Sequence, residues 1–199
     1  MIEFEDRVVE NNIFVDDKNL ITWVRYHKNN PKCKDFNKEL RVWSDDEGIR
    51  DFILVAGNLD ELFMTTKKFD DYDREDFYYA TQDNVLLGCV YITRPAPPYL
   101  GSVEFDYLVV NPRLRHQGIG TRMINSVTRN VNWFARNTFK EDITTLINEK
   151  NYNSKNAFLK CNYKVVKDYR ITAGRGEKCF EKFYFRPRQI ENEEDKEKE

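Results

Sequence analysis

The residues best suited to chemistry lie in the stretch 103–130, VEFDYLVVNPRLRHQGIGTRMINSVTRN. At its centre Arg115-His116-Gln117-Gly118-Ile119-Gly120-Thr121 follows an extended run and precedes an amphipathic one. A helix that begins there leaves its first amide N–H groups unpaired at the positive end of the aligned peptide dipoles, and glycines let an anion approach that backbone closely. The loop reads as a phosphate cradle, with Arg115 adding a permanent positive charge at the rim. A plainer reading has Gly118 and Gly120 making a tight turn and letting the helix pack. A P-loop is excluded because Gly120-Thr121 lacks the lysine. A dinucleotide fingerprint is disfavoured because Met123 stands where a third small residue is needed.

The elements that must position this loop can be read from periodicity. Val103 to Val110 mixes β-branched and aromatic residues and predicts a strand ended by Asn111-Pro112. Alternation puts Glu104, Asp106, Leu108 and Val110 on one side and Phe105, Tyr107 and Val109 on the other. From Gly120, the residues Met123, Ile124, Val127, Val131 and Phe134 recur three or four apart, which predicts a helix with Arg122, Asn125 and Arg129 towards water. Ile143 to Asn148 alternates again, and the intervening helix makes it parallel to the first strand in the simplest topology. Upstream, Phe77 to Thr81 and Val85 to Thr93 flank the polar turn Gln82-Asp83-Asn84, and the proline-rich run Arg94 to Gly101 links them to Val103 as an antiparallel meander. Tyr163 to Tyr169 and Cys179 to Phe185 read as closing strands. Over residues 1–75, two or three helices are expected: one over Asn19 to His27, ended by Asn29-Asn30-Pro31, and more after a capping box at Ser44-Asp45-Asp46-Glu47.

The spacing of Arg115, Gly118 and Gly120 resembles the signature of the GNAT superfamily of acetyl-CoA-dependent N-acetyltransferases: Gln or Arg, two residues, Gly, one residue, then Gly or Ala. Asn151, Ser154, Phe158, Asn162 and Tyr163 are similar, in register, to a second GNAT pattern of Asn, two residues, Ala or Ser, a short helix with an aromatic residue, and Gly-Phe opening a strand. Asn162 in place of glycine is acceptable because asparagine also adopts the left-handed conformation at a helix end. The resemblance implies an α+β GNAT acyl-CoA N-acyltransferase fold, a central mixed and mostly antiparallel sheet flanked by helices in one domain over residues 1–188. Residues 1–75 would form a helical acceptor-side region and 76–188 the acetyl-CoA-binding core, with 189–199 an acidic tail. It further implies that Arg115, His116, Gln117, Gly118, Ile119, Gly120 and Thr121 hold the pyrophosphate of acetyl-CoA. The N–H of Leu108 would donate to the acetyl carbonyl, Val109 and Val110 would run beside the pantetheine arm, and Asn151, Ser154 and Phe158 would complete the cofactor side.

The implied chemistry is acyl transfer from a thioester to an amine. A protonated amine cannot attack, so a base or water relay must take its proton. Glu104, eleven positions before Arg115, stands where many GNAT enzymes carry a glutamate base. Asp106 is close enough that two partly desolvated carboxylates would raise one another's pKa. Phe158 occupies the place of a tyrosine that often protonates the leaving thiolate, so Tyr152 or water must substitute. The same departure keeps open a non-catalytic acyl-CoA-binding regulatory or protein-interaction module. Trp23, Trp43 and Phe63 either line the acceptor wall or belong to the core.

Composition bounds these readings. A chain of 199 residues with 40% hydrophobic and 14% aromatic content suits one substantial core. A net charge of −2 argues against a nucleic-acid partner. The absence of a long apolar run or a basic leader leads to the expectation of a cytoplasmic protein with no membrane partner. Cys33, Cys89, Cys161 and Cys179 are widely spaced, which suits reduced thiols and no metal site. The partners expected are acetyl-CoA, an amine acceptor and, as an allowed assembly, a second copy in a homodimer. The acidic run Asp70 to Asp76 is either a lure for a cationic acceptor or a solvated loop, and Glu191 to Glu199 is expected to be unstructured.

Overall fold

The computed structural model describes residues 7–10, 12–27, 29–43, 46, 75–93, 103–135, 142–173 and 178–186. Its strands are β1 (Arg7–Glu10), β2 (Ile13–Asp16), β3 (Ile21–Arg25), β4 (Glu75–Gln82), β5 (Val85–Thr93), β6 (Val103–Val110), β7 (Ile143–Asn148), β8 (Lys164–Ala173) and β9 (Lys178–Phe185). They form one sheet in the order β1-β2-β3-β4-β5-β6-β7-β9-β8. Every neighbouring pair is antiparallel except β6 and β7, which run parallel as expected. The helices are α1 (Pro31–Trp43), α2 (Ile119–Arg129), α3 (Val131–Ala135) and α4 (Tyr152–Lys160). The expected mixed, mostly antiparallel sheet is therefore present. No helix among the described residues is long and apolar enough to cross a membrane.

The helices divide between the two faces. On one, Ile119, Met123, Ile124 and Val127 of α2, with Phe134 of α3 and Phe158 of α4, pack on Trp23, Tyr78, Val90, Ile92, Val103 and Phe105. On the other, Cys33, Leu40 and Trp43 of α1 pack on Phe77, Tyr79, Leu86, Cys89 and Val109. Trp23 and Trp43 are thus core residues, and Phe63 lies outside the described residues. Phe134 meets Trp23 edge-on at 5.1 Å and Tyr78 at 4.9 Å. Such pairs add about 0.5–1.5 kcal/mol each beyond the area they bury.

The N-terminal region departs from its expected helices. Asn19 to His27 holds a turn and strand β3 rather than a helix. Leu20, Ile21 and Val24 fit helical spacing, but a run so short fits a strand equally, and turn chemistry decides between them. The Asp16 carboxylate accepts from the Asn19 amide at 3.0 Å and its side chain at 2.8 Å, and Leu20 closes the hairpin at φ +53°. Asn30-Pro31 begins a helix instead of ending one: Asn30 Oδ1 accepts from the Lys32 amide at 3.0 Å, and Pro31 supplies the preset φ of a first helical residue. The helices expected after the capping box at 44–47 lie outside the described residues. The helix expected from Gly120 to Phe134 is interrupted at Asn130, dividing it into α2 and α3.

Strand β6 also corrects the expected alternation. Tyr91 pairs with Tyr107 and Ile92 with Phe105, so the ladder skips Asp106 and β6 carries one extra residue there. Val103 and Phe105 before this bulge share a face with Leu108 and Val110 after it, while Tyr107 and Val109 join the opposite core. Glu104 therefore stands on the face of Tyr107 and not on that of Leu108.

Two positions test this packing. A Cβ on Gly88 would lie 2.3 Å from the Val109 carbonyl oxygen and 3.0 Å from the Met123 side chain. Gly88→Ala is expected to cost about 3 kcal/mol in urea unfolding, since overpacking against backbone has no flexible outlet. Asp16 is fully buried; burial raises its pKa, but hydrogen bonds from Ser126 and Asn19 and the Arg129 charge outweigh that and hold the carboxyl below its ordinary range. Because the folded value is depressed, its stabilisation is full above the unfolded value of about 4 and is lost as pH falls through the folded one. Asp16→Asn should lower stability by about 1–3 kcal/mol at neutral pH and narrow the difference from wild type in acid.

Candidate active site

Strands β6 and β7 pair over only three positions, Val103–Ile143, Glu104–Thr144 and Phe105–Thr145. There the Thr145 hydroxyl donates to the Phe105 carbonyl at 2.9 Å. Beyond Phe105 the β7-facing edge of β6 has no strand partner among the described residues. Which groups line that edge follows from the next bond along. The Asn111 amide donates to Leu87 on β5 at 2.8 Å, so by strand alternation the Val109 amide also faces β5. The N–H groups of Leu108 and Val110 then point the other way, into the opening.

The loop at the end of β6 is built by short-range bonds. Asn111, 4% exposed, donates through its side chain to the Leu86 carbonyl at 2.9 Å and accepts from the Arg113 amide at 3.0 Å. A short 3-10 turn, Pro112–Leu114, follows, and the chain then turns twice through left-handed conformations, His116 at φ +64° and Gly118 at φ +75°. Gly118 is the N-cap of α2, and no side chain caps the helix. A Cβ on Gly118 would meet nothing within 4 Å, whereas one on Gly120 would lie 3.4 Å from Val110 Cγ2. The first turn of α2, which no side chain caps, thus abuts Val110 at the mouth of the opening, and the Leu108 amide lies about 7 Å further along β6. A phosphate-bearing ligand with a long arm has amides for its phosphates at the helix and amides for its arm along the strand.

The other predicted positions take up distinct roles. Arg115 is half-buried, and its Nη2 donates to Asp46 Oδ1 at 2.8 Å. His116 and Gln117 are exposed, Ile119 is buried beneath the loop, and the Thr121 carbonyl accepts from Cys161 Sγ at 3.5 Å. Val109 turns its side chain into the α1 core. Asn151 caps α4 by accepting from the Ser154 amide at 3.1 Å. Phe158 is buried edge-on between Phe105 at 5.8 Å and Tyr163 at 4.9 Å, and Tyr152 is 68% exposed with the Lys155 ammonium 5.7 Å from its ring centroid. Glu104 is half-buried, and burial raises its carboxyl above the ordinary range while Lys182 partly opposes the shift. Of the acidic run, Asp76 is buried against Arg25 at 2.7 Å, so it faces no solvent; 70–74 and the tail 191–199 lie outside the described residues.

Two contributors were not read from sequence. Asn111 looked like a mere strand stop, although Asn-Pro is a turn-opening pair. Arg122, expected towards water, donates to the Asn19 and Leu20 carbonyls and to Gln82 Oε1 at 2.8, 2.9 and 2.9 Å. It ties the start of α2 to the β2–β3 turn and the end of β4.

The sheet is thus mixed, and its one parallel pair parts beside a glycine-led helix that no side chain caps. The family model of the Acetyltransferase (GNAT) family matches residues 38–163, and the chain belongs to that family. Among solved structures, the chain is similar to spermidine N-acetyltransferase from Vibrio cholerae in complex with CoA and spermine, at 14% identity and TM-score 0.64 over 84% of this chain and 95% of that one. It is similar to the Campylobacter jejuni N-acetyltransferase PseH in complex with acetyl coenzyme A, at 13% identity and TM-score 0.59 over 85% and 100%. It also resembles a probable GNAT acetyltransferase from Chromobacterium violaceum, at 10% identity and TM-score 0.67 over 91% and 94%. At these identities the likeness is one of fold. No curated protein sequence matches the chain.

The two glycines of the cradle should respond oppositely to a methyl group. Gly118→Ala forces a left-handed alanine and should cost about 1 kcal/mol, with Gly118→Asn milder. Gly120→Ala, at ordinary contact distance and inside a helix, should be neutral or stabilising by up to about 0.5 kcal/mol. Urea unfolding of the three variants checks the signs.

Proposed function

We propose that the protein transfers the acetyl group of acetyl-CoA to a primary amine of a small molecule or a protein, by direct attack with Glu104 as general base. The observation that carries this reading is the edge of β6 beyond Phe105, which has no strand partner among the described residues and where the Leu108 and Val110 amides lie in line with the first turn of α2. Family membership supports it, as do the neighbours of like fold that hold CoA or acetyl coenzyme A. Bound acetyl-CoA would supply a thioester activated for acyl transfer. The first-turn amides of α2 would hold its diphosphate, and the Leu108 amide would donate to the carbonyl oxygen as charge gathers there. Glu104, directly or through water, would take the proton of the ammonium so that nitrogen can attack the carbonyl carbon. The carbon–sulfur bond then breaks, and the sulfur takes a proton from water or Tyr152. Phe158 has none to give.

Direct attack is favoured over an acyl-cysteine route through Cys33, Cys89 or Cys161. Cys33, Cys89 and Cys161 are all buried, and burial raises each thiol, that of Cys161 to about 11. These thiols stay protonated near neutral pH, and only a thiolate is a competent nucleophile. The acceptor is an amine in this reading, and the amine spermine in one structural neighbour supports that class. The buried Phe158 favours one second reading, an acyl-CoA-binding module without turnover.

Calorimetry with acetyl-CoA, followed by thiol release across an amine panel, tests both readings. Heat with turnover supports the transferase; heat without turnover on any amine supports the binding module; no heat removes both. For the base, log(kcat/KM) should fall towards acid with an apparent pKa above the ordinary glutamate value, since burial raises it. Glu104→Gln should abolish that limb and lower kcat by about 10²-fold. Full activity in the variant would exclude Glu104 as the base.

A further inference from the structure

The cradle is held at three points: Asn111 at its entry, Arg122 at its exit, and Arg115 in the middle. Asn111 donates to the Leu86 carbonyl and approaches Glu39 Oε1 at 3.5 Å, and Arg122 donates to the Asn19 and Leu20 carbonyls and to Gln82. Arg115 forms an ion pair, with an acid 69 residues earlier in the chain. That acid, Asp46, is itself fixed: its amide donates to the Trp43 carbonyl at 2.9 Å, at the end of α1, and Trp43 is 5% exposed in the core of the α1 face. The backbone of Asp46 is thus tied to the end of α1, outside the loop that its carboxylate holds.

We infer that Asp46 is a positioning residue for acyl-CoA binding, fixing the Arg115 guanidinium and with it the left-handed turns at His116 and Gly118. The inference rests on the acetyl-CoA reading above. Guanidinium carries five donors in a planar fork, and the 2.8 Å contact engages Nη2, so a phosphate can approach other donors while Asp46 keeps the plane fixed. Ordering a free arginine on binding opposes affinity, and an arginine already held avoids most of that loss. The opposing effect is repulsion between Asp46 and the incoming phosphate. Both side chains are partly exposed, 34% for Arg115 and 26% for Asp46, so solvent screens that repulsion while the geometric restraint persists. The restraint therefore outweighs the repulsion.

The sign of one measurement decides. Calorimetry with coenzyme A should show Kd raised by about three- to tenfold in Asp46→Asn and at least as much in Asp46→Ala, with Asp46→Glu between them and wild type. In turnover assays the loss should appear in KM for acetyl-CoA and not in kcat at saturation or KM for the amine, which a general weakening of the fold would not respect. Arg115→Lys keeps the charge and loses the fork; it should weaken binding similarly, and adding Asp46→Asn to it should cost little more. Unchanged or tighter coenzyme A binding in Asp46→Asn overturns the inference, as do additive effects in the double variant. Absence of coenzyme A binding by wild type removes the acetyl-CoA reading itself, a result distinct from either.

Discussion

Two parallel strands that stop pairing after three residues set the terms for the rest of the molecule. Backbone amides are obligatory donors, and β6 presents those of Leu108 and Val110 to a gap instead of to β7. A sheet can tolerate such a gap only if both sides of it are held from elsewhere. On the β6 side, β5 pairs along the whole stretch from Gly88 to Thr93, and Gly88 lets β5, β6 and α2 approach within contact of one another. On the β7 side, β9 pairs with β7 over its full length, from Ile143 to Asn148. The opening therefore lies between two well-paired halves of the sheet.

The helix at its mouth is fixed with similar redundancy. The Trp23 indole donates to Ser126 at 2.8 Å, Arg122 grips the β2–β3 turn, and the Thr128 hydroxyl meets Tyr163 at 2.9 Å. These bonds hold the body of α2 from both flanks and leave its first turn uncapped by side chains. Interaction free energy is thus concentrated along the body of α2, and its first turn offers backbone amides. The proposed Asp46–Arg115 pair extends the same arrangement to the loop.

From β4 onward the fold was legible in sequence, because hydrophobic period and turn residues agree there: alternation over 85–93 and 143–148, helical spacing from Gly120, glycines and Asn-Pro between. The glycine-bearing turn into α2 was legible for the same reason. The N-terminal hairpin was not, since Leu20, Ile21 and Val24 satisfy two periods at once and the deciding bond is a side chain of Asp16 on Asn19. The face of Glu104 was misread because alternation assumes an unbroken ladder, and one extra residue at Asp106 reverses it without any mark in composition. Long-range partners such as Arg122 with Asn19, Leu20 and Gln82 were invisible in principle: spacing along a helix says which way a side chain points and nothing about what comes to meet it.

The hairpin's attachment has a consequence for biosynthesis. Trp23 and Ser126 are separated by 103 residues, as are Arg122 and Asn19. At ribosomal speeds of about 5–20 residues per second, β2 and β3 wait about 5–20 s before α2 has been made. During that interval Phe14, Ile21 and Trp23 lack the helical surface that covers them in the fold. Docking of the hairpin is accordingly a late event, completed after the cradle-bearing helix has emerged.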